Sequence, residues 1–128
     1  MLRTVLIVDD SRVSRMMLSK AIADLDPDWQ IIEAENGQQA VEMGCEFAPN
    51  LVVMDVNMPV MDGFEAVEIL RPKLPNTSFA MLTANVQASS QQRAEELGVH
   101  FLAKPVTPAV AEKALAIWRQ EHEGSYSA

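Results

Sequence analysis

The sequence predicts an α/β domain in which a parallel sheet carries helices on both faces. Three observations carry that expectation. Short apolar runs alternate five times with helix-patterned stretches, and such alternation argues for crossover connections and a parallel sheet. Runs such as VLIV at 5–8 and LVVM at 51–54 are apolar throughout, as strands buried on both faces are. The connections are short, and no repeat, low-complexity tract or internal linker interrupts them, which fits one open doubly wound unit.

The elements follow in order. The first strand is expected at 4–8. A helix over 12–25 follows, with Ser11 as N-cap and Val13, Met17, Ala21 and Leu25 spaced along one face. Pro27 ends it, and Trp29 to Ala34 forms a second strand. Asn36-Gly37 is a turn before a helix over 38–47 that turns Ala40, Val41, Gly44 and Phe47 inward. Leu51 to Met54 is the third strand. Residues 57–63, NMPVMDG, form a loop punctuated by Pro59 and Gly63. The helix from 64 should stop near Pro72, because the residue before a proline disfavours helical geometry. Thr77 to Thr83 is the fourth strand, 87–97 the fourth helix, and Gly98 its C-cap. Val99 to Ala103 is the fifth strand. The last helix, 108–121, carries Val110, Ala114, Ile117 and Trp118 on its apolar side. One domain over 1–123 is expected, with a frayed tail at 124–128.

Composition excludes several classes of function. The formal net charge of −8 opposes binding to nucleic acid or to anionic membranes, both of which demand a basic face. No apolar run reaches the roughly 20 residues of a membrane span. The N-terminus lacks the pattern of a signal peptide. A single cysteine, Cys45, excludes an intramolecular disulfide and a multi-cysteine metal site. A cytoplasmic protein is the expectation.

In doubly wound sheets, ligands bind beyond the carboxyl ends of the strands, where the strand order reverses. Those ends carry Asp9 and Asp10, then Glu33 to Glu35, then Asp55, then Thr83, then Lys104 and Pro105. In the flavodoxin-like order 2-1-3-4-5, strands one and three are neighbours. Asp9, Asp10 and Asp55 would then converge, with Thr83 and Lys104 facing them. Two carboxylates about 5 Å apart repel by about 3 kcal/mol at an effective dielectric near 20. A hard divalent cation relieves that repulsion, and an all-oxygen set points to Mg²⁺ or Mn²⁺ rather than zinc.

The ordered set VLIVDDS, VVMDVNMPVMDG, MLTA and FLAKP strongly resembles the receiver domain of two-component response regulators, from about residue 4 to residue 120. The resemblance implies the 2-1-3-4-5 sheet. It implies that Asp55 is the phosphoacceptor, taking a phosphoryl group from a phosphohistidine on a sensor histidine kinase or histidine phosphotransfer protein. Asp10 would hold Mg²⁺ directly, Asp9 through water, and the Asn57 carbonyl would add an oxygen. Lys104 would pair with the phosphoryl oxygens. Thr83 would bond the phosphoryl group, and Phe101 would turn inward with it, although Phe101 also reads as plain core packing. Pro105 would follow a cis peptide, and Gly63 would be structural. Asn57 and Asn85 would flank the water that hydrolyses the acyl phosphate. Val56 departs from the tryptophan found there in some chemotaxis regulators.

The expected function is a phosphorylation-dependent switch of a protein–protein surface made by the fourth helix, fifth strand and fifth helix. Nothing after residue 124 is long enough for an output domain, so a chemotaxis-type regulator or a phosphorelay shuttle is expected, as a monomer or weak dimer. Three rivals differ at named residues. A haloacid-dehalogenase-like phosphohydrolase needs an aspartate where Asn57 stands. An FMN binder would place its phosphate against Asp9 and Asp10. A phosphate-independent receiver-like module would have lost an acidic residue or the lysine, and none is lost. Asp62-Gly63 reads as a turn, His100 and His122 as exposed and inert, Cys45 as a small helix residue, and Met58 and Met61 as loop residues beside the site.

Overall fold

The computed structural model describes residues 3–84 and 88–122. Five strands and five helices alternate: β1 Arg3–Val8, α1 Arg12–Leu25, β2 Trp29–Ala34, α2 Gly37–Phe47, β3 Leu51–Asp55, α3 Gly63–Lys73, β4 Ser78–Thr83, α4 Ala88–Leu97, β5 His100–Ala103 and α5 Pro108–His122. All strand pairings are parallel, and the sheet order is β2-β1-β3-β4-β5. The flavodoxin-like doubly wound fold expected from the sequence is therefore the one observed. Asn85 and the expected tail at 124–128 lie outside the described residues.

Successive residues of a strand face opposite sides of the sheet, and here both sides are apolar. Val5, Ile7, Leu51, Val53, Ala80 and Leu82 join residues of α1 and α5 in one buried layer. Leu6, Val8, Val52, Met54, Phe79 and Met81 join α2, α3 and residues near α4 in the other. This double burial is why the strands read as unbroken apolar runs.

The α1 face differs from expectation. The helix buries Arg15, Leu18 and Ile22, while Val13, Met17 and Leu25 are exposed and Ala21 is only partly covered. Apolar residues surround this helix, so two stripes compete, and contact with α5 and β1 selects the one that includes an arginine. Phe47 is likewise exposed rather than inward; it is the last residue of α2, followed by Ala48 at φ 44°.

Helix α3 runs through Pro72 to Lys73 rather than stopping before the proline. Leu74 N–H still reaches the Leu70 carbonyl at 2.9 Å, and Arg71 is tied to the Thr77 and Gly98 carbonyls, each at 3.3 Å. These contacts outweigh the local bias of the residue before proline. The helix starts at Gly63, within one position of the expected residue 64, and Asp62 and Glu65 form a capping box there, a D-x-x-E signature.

At the amino edge of the sheet the Arg3 guanidinium lies over Trp29 and Trp118, 5.3 and 5.1 Å from the ring centres. His122 corrects the inert reading. Its ring stacks on Trp118, and its nitrogens lie 3.0 Å from the Trp118 carbonyl and 2.7 Å from the Asn76 carbonyl. His100 is exposed and lies 3.0 Å from Glu121. Both clasp the end of α5 to the edge opposite the strand termini.

The reassigned face of α1 has a direct test. Leu18→Ala should lower unfolding free energy by about 3 kcal/mol through a core cavity. Met17→Ala, at a residue 50% exposed, should change it by no more than about 0.5 kcal/mol. Urea denaturation of the two variants distinguishes the faces.

Candidate functional site

The register of β1 against β3 pairs Val8 with Met54. The next residues, Asp9 and Asp55, therefore emerge side by side at the carboxyl edge. Asp55 is the last residue of β3 itself, one position beyond the expected strand end. Asp9 and Asp55 are buried, at 1% and 6% exposure, and Asp10 is exposed. One carboxylate oxygen from each of Asp9, Asp10 and Asp55 lies within 4.8 Å of the others.

Lys104 approaches from β5. Its Nζ lies 3.0 Å from Asp9 Oδ2 and 3.4 Å from Asp55 Oδ2. Its backbone N–H is held by the Thr83 carbonyl at 2.9 Å, and the Lys104–Pro105 peptide is cis. Asp9 is held closely. Its N–H donates to the Ala34 carbonyl at 3.2 Å, and its Oδ1 accepts the Ser11 N–H at 2.9 Å. Its Oδ2 is buried and lacks a well-directed hydrogen bond, despite the short distance to Lys104.

Burial first, and the Asp9 charge second, push the Asp55 carboxyl above its ordinary value of 3.8; Lys104 and the Asn57 backbone N–H pull it back only partly. Burial pulls Lys104 down, but contact with Asp9 and the charges of Asp55 and Asp9 raise it on balance. One ammonium is therefore firmly charged between carboxylates that it does not fully neutralise. The all-oxygen donor set and the excess negative charge fit a hard divalent cation.

The other expected residues lie around this group. Thr83 is buried at the end of β4. Phe101 is half-buried and meets Phe64 edge-on, with ring centres 6.1 Å apart. Asn57 is exposed just beyond β3. Gly63 is structural: a Cβ there would run into the Asp55 carbonyl and the end of the Met81 side chain. Its N–H closes the loop onto the Val56 carbonyl at 2.9 Å.

Comparison with known proteins agrees with this geometry. The model of the response regulator receiver domain matches residues 5–116. The chain belongs to that family. It is 41% identical over 106 residues to a probable chemotaxis protein CheY of Rhizobium etli, covering 80% of this chain and 81% of that protein. The solved structure of the chemotaxis protein CheY4 of Vibrio cholerae superposes with a TM-score of 0.83 at 31% identity, covering 91% of this chain and 98% of the other. The receiver domain of AraT from Geobacillus stearothermophilus gives 0.87 at 29% identity, covering 98% and 99%. Some relatives are much longer. The chain spans 30% of the protein-glutamate methylesterase/protein-glutamine glutaminase of Pseudoalteromonas atlantica, at 36% identity.

Two residues of this receiver domain escaped the sequence reading. Arg15 donates from Nη1 to the Asp9 carbonyl at 2.6 Å and from Nε to Glu33 at 3.0 Å. Its signal is the spacing Arg15, Leu18, Ile22, a helical stripe as regular as Val13, Met17, Ala21. Val60, in the loop after Asp55, has φ 73° and is 79% exposed. A β-branched residue in left-handed backbone is strained, and the pattern of apolar residues does not reveal backbone angles.

Val60→Gly should raise unfolding free energy by about 1 kcal/mol by removing that strain, measured by urea denaturation; a loss of stability would show that the side chain contributes packing instead.

Between the ordinary carboxyl value and the raised one, folded Asp55 keeps a proton that the unfolded chain has released, so stability falls as pH rises through that window. Asp55→Asn, without added metal, should therefore be more stable than wild type at neutral pH. The gain should vanish below the ordinary carboxyl value of 3.8. Denaturant melts in EDTA across this range measure it.

Proposed function

We propose that this receiver domain is an Mg²⁺-dependent switch phosphorylated on Asp55 by a phosphohistidine. The observation that carries this reading is the gathering of Asp9, Asp10 and Asp55 within 4.8 Å, with Lys104 bridging two of them. Asp9, Asp10, Asp55 and the Asn57 carbonyl would hold the cation, Mg²⁺ or Mn²⁺. When bound, it supplies charge neutralisation for the transferring phosphoryl oxygens.

The chain's own groups do the rest. An oxygen of ionised Asp55 attacks phosphorus in line, and the phosphorus–nitrogen bond of the phosphohistidine breaks. The imidazole nitrogen leaves with the electron pair and takes up a proton. The donor is a sensor histidine kinase or a histidine phosphotransfer protein. Lys104, already charged and held just beyond β5 by the Thr83 carbonyl, would meet the developing negative charge. Positive charge brought to the site would favour the ionised form of Asp55 that attacks.

The acyl phosphate puts about two negative charges where the Asp55 carboxylate had one, a net gain of about one, and brings three acceptor oxygens to a place where carboxylates already crowd. Lys104 would transfer part of its pairing to those oxygens, and the Thr83 hydroxyl would bond one of them. Phe101, half-buried on Phe64, would follow. The face of α4, β5 and α5 would then change its affinity for a downstream protein as a shift between two populated states. Asn57 stands two residues after Asp55, where a phosphohydrolase cycle of the dehalogenase type needs an aspartate.

Intact mass after incubation with acetyl phosphate tests the chemistry. One phosphoryl adduct is expected with Mg²⁺, none with EDTA, and none in Asp55→Asn. An adduct retained by Asp55→Asn would remove Asp55 from its role. If no adduct forms, beryllofluoride titration followed by amide NMR distinguishes fast hydrolysis from a site that takes no phosphoryl group.

A further inference from the structure

Among the described residues Arg15 is the only buried cation, at 9% exposure. Burying a guanidinium forfeits hydration and side-chain freedom. It shares its stripe of α1 with Leu18 and Ile22, where an apolar residue would pack as well. The guanidinium instead joins two strand ends. Nε donates to Glu33 Oε1 at 3.0 Å, near the end of β2, and Nη1 donates to the Asp9 carbonyl at 2.6 Å, beyond β1.

That carbonyl belongs to the planar peptide between Asp9 and Asp10. Fixing its direction fixes how Asp10 leaves the sheet edge. The Asp9 N–H is held by Ala34, its carboxylate by Ser11 and its carbonyl by Arg15. Glu33 fixes Arg15 in turn from the solvent side, where its own side chain is 43% exposed.

We propose that Arg15 is a positioning residue for the cation site. It holds the Asp9–Asp10 peptide so that the exposed Asp10 carboxylate is presented to the buried pair. This rests on the reading that the acidic cluster takes a divalent cation. Two accounts of Arg15 differ in sign. As a nearby positive charge it would oppose cation binding, and its removal would tighten binding. As a positioning residue it supports binding, and its removal loosens it. Arg15→Lys sharpens the contrast: the charge stays, but the fork that spans Glu33 and the Asp9 carbonyl is lost.

Mn²⁺ binding, followed by electron paramagnetic resonance with no phosphodonor present, tests this. Wild type, Arg15→Lys, Arg15→Met and Glu33→Gln are compared. Leu18→Val controls for general loosening of α1. Arg15→Lys and Arg15→Met should each weaken Mn²⁺ binding about tenfold, the lower range for groups that orient metal ligands. In EDTA the amide signals of Asp10 and Ser11 should shift or broaden in both. Glu33→Gln should weaken binding less, and Leu18→Val should leave it unchanged. Unchanged or tighter binding in Arg15→Lys would overturn the proposal, as would an equal loss in Leu18→Val. If Arg15→Met does not fold, Arg15→Lys and Glu33→Gln decide. If wild type itself binds no Mn²⁺, the cation reading fails together with this one; weakened binding in the arginine variants alone supports both.

Discussion

Three carboxylates meet at one sheet edge with one ammonium between them, and two of the three are almost wholly buried. At separations near 5 Å each like pair costs about 3 kcal/mol at an effective dielectric of 20. Side chains free to move would separate. They stay together because Asp9 and Asp55 extend from neighbouring parallel strands whose register is fixed by apolar layers on both faces. A slip of one residue would exchange those layers. The site is thus kept in place by the core, and the core holds it in a state that favours arrival of positive charge.

The loop after Asp55 shows the same priority of position over local comfort. Gly63 lets the start of α3 close onto the Asp55 and Val56 backbone, where a side chain has no room. Gly37, at the start of α2, leaves room for Met61 of that loop. Val60 bridges these points in a backbone conformation that valine resists. Strain of this kind persists where surrounding contacts over-determine a segment, and here they determine the approach to Asp55.

The strands were legible because strands buried on both faces carry continuous apolar runs, and the carboxylates were legible because they end those runs. Lys104 and Thr83 followed once the strand order was supplied by resemblance; spacing alone could not bring β5 beside β4. The helix faces were harder. Val13, Met16, Met17 and Leu25 leave α1 apolar on its outer side, so periodicity offered two stripes, and the buried one was disguised by Arg15. The α3 overrun past Pro72 depended on Arg71 reaching two distant carbonyls. His122 depended on a stack with Trp118 and on a loop before β4. Arg15, Arg71 and His122 share a cause: each contacts an element far along the chain through a polar or aromatic side chain whose local pattern is silent.

The two edges of the sheet divide the labour of a switch. At the amino edge, Arg3 with Trp29 and Trp118, and Glu121 with Ser78 and His100, tie the end of α5 to β1, β2, β4 and β5. At the carboxyl edge, α5 follows the segment that carries Lys104, whose pairing is electrostatic and imperfectly directed. Aromatic packing and directed hydrogen bonds resist displacement more steeply than an ion pair that can exchange one oxygen for another. A change of charge at Asp55 would, in that switch, act first on the exchangeable contacts of Lys104, in the segment that leads into α5. In the proposed switch this asymmetry lets a local exchange of Lys104 partners re-aim the α4–β5–α5 face without loosening the core that keeps the carboxylates together.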